Sequence, residues 1–339
     1  MLGGAHAQRY INSKRSTETH IARYGALRWL VLTLPFAAHL ICVNLAMAGP
    51  ILCAWLDWRA GRRADPMAGR VARQLAFASL IALILGLAFG GMLLLFDRGY
   101  TQAAAALPAW WLWQALGEIL FSLVCLAVYW RLTKDGRLRS WLLRLLPILA
   151  ATDLMMHFPP LFAMFSLIAS RAEFAHLTLD RHTYHQLLAN PEVLSRVAHV
   201  WLASLAVAGM AVIVCARRSG TQHDPAAEQL VARGGWAALV PTLFQVPAGL
   251  WLFMQLPAQA RDGLLGDDPL GMILLLAGVL TAIYLMHQLA TISLGDTRPA
   301  QVRRTALIMA VNIFLMVATL QRVHLLTLTQ ETLPAASER

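Results

Sequence analysis

The sequence predicts an all-α protein, a polytopic membrane helical bundle of about eight transmembrane helices with both termini outside. Three observations predict it. Of the 339 residues, 58% are hydrophobic and only 14% are charged, whereas soluble domains are about a quarter charged. Apolar runs of about 20 residues, the length a helix needs to cross the hydrocarbon core, recur along the chain, and the mean hydropathy is +0.57. Finally, the basic residues behind a formal net charge of +10 gather in every second connection. That is the asymmetry of a membrane topology. No basic patch is interleaved with aromatics, so nucleic acid is not an expected partner, and lipid is.

A basic polar tail, residues 1–25, precedes the first run; it does not read as a cleavable signal, because the run that follows is too long for an h-region. Spans are expected at about 27–56, 72–96, 108–131, 141–169, 196–216, 234–256, 270–293 and 305–326. Residues 26–327 form one domain, followed by a short polar tail over 328–339. The first and fourth runs exceed what a bilayer needs, so they tilt or project. The connection after span one holds Arg59, Arg62, Arg63 and Arg70, and that after span three Lys134, Arg137 and Arg139. Arg217, Arg218 and Arg233 follow span five, and Arg298, Arg303 and Arg304 follow span seven. The alternate connections are neutral or acidic, with Asp97 beside Arg98, and Arg261 near Asp262, Asp267 and Asp268. The positive-inside rule therefore places the odd-to-even loops in the cytoplasm and both termini outside. Arg9, Lys14, Arg15, Arg23 and Arg28 of the tail argue the other way and are outvoted by the remaining alternations.

The longest outer connection, about 170–195, carries His176, His182 and His185, which read as solvated side chains. Trp110, Trp111 and Trp113 read as an interfacial aromatic belt. Pro159 and Pro160, just after His157, are expected to break the hydrogen-bond ladder of span four, which membranes tolerate only where something covers the freed carbonyls. Cys42, Cys53, Cys125 and Cys215 form no CxxC and no CxxCH. Zinc ribbons, thioredoxin chemistry and covalent c-type heme are therefore excluded, and buried thiols are expected.

Seven acids and histidines fall inside the spans: His39, Glu118, Asp153, His157, His199, His287 and His324. Each is a functional hypothesis by default, because the bilayer makes an unpartnered polar group expensive. His199 sits about one turn into the fifth run, after the turn at Asn190-Pro191. Heme iron accepts a neutral imidazole, and the macrocycle fills an apolar slot between helices. Met272 lies in the first turn of span seven, at the depth of His199, on a helix that also runs inward. The two would serve as axial ligands of a low-spin heme, with His157, His287 and His324 as other possible ligands. Against this, methionines in an apolar chain usually pack. His39 could simply hydrogen-bond a carbonyl of a neighbouring helix. Glu118 and Asp153 are either protonated members of a proton path or helix-packing polar bonds.

Three stretches resemble subunit I of the cytochrome bd quinol oxidases: His39 within HLICVNLAMAGPILCAWLDW (39–58), GLAFGGMLLLF (86–96), and Asn190-Pro191 leading to His199 and a glycine-containing helix. The resemblance covers about residues 25–216. It implies that His199 ligates a low-spin heme b, that His39 serves the high-spin heme pair, and that Met272 stands opposite the low-spin heme. Glu118 matches the second of two glutamates in the third helix. The sequence departs from the family where Trp110 replaces the first of these glutamates. A short segment, about 257–269, stands in place of the long quinol-binding loop. The late Gly-Arg-Gln-Pro-Trp motif and a span-eight glutamate are absent, and His157-Phe-Pro-Pro is not the family's usual sequence. The resemblance thus implies a b-type heme electron-transfer subunit working near the outer face of a respiratory complex, with quinol or a cytochrome c as donor. A heme-poor structural partner of such a complex is the alternative, and a transporter built on a broken span four ranks last.

Overall fold

In the computed structural model the described residues are 3–96, 101, 104, 108–134, 141–170, 181–221 and 224–331. They form eight long helices: α1 (Gly3–Arg63), α2 (Pro66–Phe96), α3 (Ala109–Leu132), α4 (Trp141–Ser170), α5 (Pro191–Ser219), α6 (Pro225–Gln255), α7 (Pro269–Ser293) and α8 (Pro299–Glu331). Each contains a segment long and apolar enough to cross a membrane, and no strand occurs among the described residues. Helix α1 runs from Gly3 without a break into its apolar part.

Several helices start well before the apolar runs do. Asn190 caps α5 by accepting from the Glu192 amide at 2.8 Å, and Asp224 caps α6 through the Ala226 amide at 3.0 Å. Asp268 caps α7 through the Gly271 amide at 2.9 Å. A proline follows each cap as the first helical residue, pre-set for helical φ and with no amide to leave orphaned. These first turns are polar in α5 and α6, which hydropathy alone reads as loop. A short helix, Arg181–Leu188, precedes α5. Between α6 and α7 a single turn, Ala258–Asp262, runs into a wide turn at Gly263–Asp267. Gly266 there has φ 157, in the region that favours glycine.

Helix α1 packs against α2, α4, α5 and α8, while α6 packs against both α5 and α7. The largest apolar cluster joins Leu56, Met67, Leu75, Tyr129, Ile213 and Leu289. Helices α5 and α6 approach closely at Gly209, where a Cβ would stand 2.5 Å from the Ala238 amide nitrogen. Backbones meet this closely where dispersion must hold helices together in lipid. An ion pair of half-buried Arg144, through Nε, with buried Asp57 at 2.9 Å joins α4 to α1, and Arg59 pairs with Asp65 at 3.3 Å. Of the cysteines, Cys53 and Cys125 are buried, Cys42 and Cys215 half-buried, and all are free.

The hydrogen-bond ladder of α4 is interrupted at its prolines as expected, yet the helix runs on over Trp141–Ser170 with Pro147, Pro159 and Pro160 inside it. Pro159 has no amide to offer the Met155 carbonyl, and Trp201 of α5 donates its indole N–H there instead, at 2.8 Å. The helix survives because a neighbour replaces the missing donor. Trp110 and Trp113 are exposed, but Trp111 is half-buried and stands edge-on to Tyr184 at 4.7 Å.

Candidate heme-ligand site and a polar cluster

His39 projects from α1 and is only 7% exposed. Its Nδ1 lies 2.8 Å from the Gly86 carbonyl of α2. A carbonyl can only accept, so Nδ1 carries the proton, and in the neutral ring Nε2 keeps its lone pair. One turn further along α2, a Cβ on Gly90 would lie 2.8 Å from His39 Cε1. Phe162 of α4 closes another side, edge-on at 6.0 Å. Gly86 and Gly90 thus form the niche for this ring. The carbonyl bond satisfies the bland reading of a lone membrane histidine, and it is equally the bond that orients a metal-ligating one.

His199 differs from it. On α5 and half-buried, it has an Nδ1 that is shielded from solvent and meets no hydrogen-bond partner. Such a group costs about 1–3 kcal/mol. Across from it on α6 stands Gly249, where a Cβ would be 3.6 Å from His199 Cε1. Nearby, Ser204 donates to Asn44 of α1 at 2.9 Å. Met272 lies in the first turn of α7, with its amide bonded to the Asp268 carbonyl at 3.0 Å and its side chain 39% exposed.

Glu118, Asp153 and His157 come together between α3 and α4. His157 Nδ1 is 3.3 Å from Glu118 Oε1 and 3.3 Å from Asp153 Oδ1. Ser122 donates to the other Asp153 oxygen at 2.8 Å, and Gln114 donates to Glu118 Oε1 at 2.8 Å. His287 is exposed on α7, as are His182 and His185 before α5; His176 lies outside the described residues. His324 borders a small, partly open cleft together with Ser166, Glu192 and Arg196.

Two polar links at the ends of the helices were not foreseen from the sequence. Glu192 and Arg196 pair one turn apart at the start of α5, and Arg196 also donates to Ser166 of α4. The four-residue spacing could have revealed the first of these. Arg322, a charge inside the eighth apolar run, grips Asp268 with two hydrogen bonds of 2.6 and 2.7 Å. The Arg322 guanidinium holds the Asp268 carboxyl below its usual range; burial opposes this and the Gly271 amide assists it.

No protein-family model matches the sequence, and no curated protein matches it. Among solved structures, the chain is similar to the bd oxidase from Geobacillus thermodenitrificans, with a TM-score of 0.65, 16% sequence identity, and coverage of 88% of this chain and 86% of that one. At that identity the likeness is one of fold. The chain is a multi-pass helical membrane protein with the fold of a bd oxidase chain.

Proposed function

We propose that this chain is a b-type heme electron-transfer subunit of a respiratory oxidase-like complex in a bacterial inner membrane, with both termini outside. The observation that carries the reading is His199. A shielded imidazole nitrogen without a partner, facing a glycine across an apolar helix contact, is a group whose cost a cofactor can offset. The residues present fit a heme: His199 as axial ligand, His39 with Nε2 left free by its bond to Gly86 as ligand to a second heme, and Met272 as the partner of His199. When bound, heme supplies a one-electron redox centre tuned by its axial ligands. The chain's own part is to orient the rings, exclude water through the surrounding helices, and hold protons at the Glu118 and Asp153 oxygens. The likeness to a bd oxidase fold supports this reading, with quinol or a cytochrome c as electron donor and further subunits as partners.

The test is a reduced-minus-oxidised spectrum, with heme per chain, for the purified protein and His199→Ala. The wild type should show a low-spin b-type α-band and the variant should lose it. A wild type with heme near zero, or a variant that keeps the full band, would sink the reading and leave a structural subunit.

A further inference from the structure

We propose that Glu118, Asp153 and His157 form a binding site for a divalent transition-metal ion of the zinc class, built between α3 and α4 and separate from any heme. The three ligand atoms come from facing helices, Glu118 from α3 and the i, i+4 pair Asp153 and His157 from one face of α4. Helical bundles build metal sites in this way, from side chains projecting across a helix contact. All three ligand atoms lie within 4.8 Å of one another.

The two His157 distances suit an ion as well as they suit long hydrogen bonds. Charge-assisted N–H···O⁻ bonds run to about 2.7–2.9 Å, yet His157 Nδ1 is 3.3 Å from both carboxylates. An ion bound tetrahedrally at about 2.0–2.1 Å separates its ligands by about 3.3 Å. The charge balance agrees. No lysine or arginine pairs with either carboxylate among the described residues, and both sit more than two turns from the ends of helices that span the membrane. A divalent cation takes the place of the protons that these oxygens hold in its absence, neutralises the two carboxylates and leaves the site without net charge. Two neutral donors already orient the ligands: buried Ser122 holds the far oxygen of Asp153, and Gln114 holds Glu118, in the manner of outer-shell partners. The imidazole is half exposed, which leaves a fourth coordination position open. The mixed oxygen and nitrogen set selects zinc-like ions over magnesium, which prefers oxygen alone.

The test is Zn²⁺ binding to the full-length protein in detergent, by titration calorimetry and by metal analysis after dialysis, with Mg²⁺ as competitor. The wild type should hold one Zn²⁺ per chain that excess Mg²⁺ does not displace. Glu118→Gln, Asp153→Asn and His157→Ala should each weaken it by at least about tenfold. A His182→Ala, His185→Ala double variant should bind as the wild type does. No stoichiometric Zn²⁺ in the wild type, or equal affinity in the cluster variants, overturns the proposal, as does binding lost with the surface pair. Heme per chain and thermal unfolding, measured on the same samples, separate failure of this site from failure of the heme reading or of folding.

Discussion

His39 is held by two features of α2 at once, an acceptor at Gly86 and an empty side-chain position at Gly90. The stretch GLAFGG is therefore a negative image of an imidazole, which its sequence as an apolar helix segment does not disclose. A methyl group on Gly90 would sit 2.8 Å from the ring, closer than carbon atoms pack. Gly90→Ala should force the ring to move, weaken its bond to Gly86 and cost about 1–3 kcal/mol of stability. Heme per chain should fall with it under the proposed function. Thermal unfolding together with pigment content measures both, and an unchanged unfolding temperature would show that the niche is looser than the distances say. His39 was legible as a candidate from its residue type and position. Its tautomer was not, because that depends on a carbonyl 47 residues away.

At the scale of elements, the start of α7 is fixed by one carboxylate. Asp268 caps the helix through Gly271 and receives the Arg322 guanidinium from α8. Its carboxyl titrates below the usual range, chiefly because Arg322 hydrogen-bonds it. The pair's contribution to stability is thus complete above the unfolded value of about 3.9. It fades as pH falls through the lower folded value. Asp268→Asn keeps a capping side chain but loses the charge. It should be less stable than wild type at neutral pH, with the difference shrinking as pH drops below about 4. Unfolding curves across that range, in detergent, check this; a constant difference would show that Arg322 adds nothing specific. The same clamp holds the turn on which Met272 sits. Sequence patterning located α7 to within a residue, since its apolar run begins almost at the cap. It placed the starts of α5 and α6 too late, because their first turns carry Glu192, Arg196 and Glu228, whose helicity comes from caps rather than from hydropathy.

For the whole molecule, charge decides orientation. The loops rich in arginine and lysine alternate with neutral or acidic ones along eight spans, and this predicts both termini outside. Single-cysteine reporters in a variant lacking the four native cysteines test it. A reporter at Gly61 should react only from the cytoplasmic side, and one at Leu265 only from the outer side. The reverse pattern would invert every statement about depth made for His199 and Met272.

The sequence by itself determined the all-helical class, the eight spans and which acids and histidines lie inside them, because the bilayer penalises polar groups so heavily that composition and periodicity are nearly sufficient to find them. Only the tertiary structure decided which of those residues meet. The likeness to a bd oxidase fold confirmed an architecture that composition had already made narrow. But the sequence could not show that Trp201 mends the helix at Pro159, that His157 joins Glu118 and Asp153, or that His199 keeps a shielded nitrogen unpartnered. The first two depend on how neighbouring helices face one another, and the third on a partner that no neighbouring helix supplies. The rotation of one helix against another is set by the small residues at their crossing and by packing, and neither is written in the hydropathy of any single span.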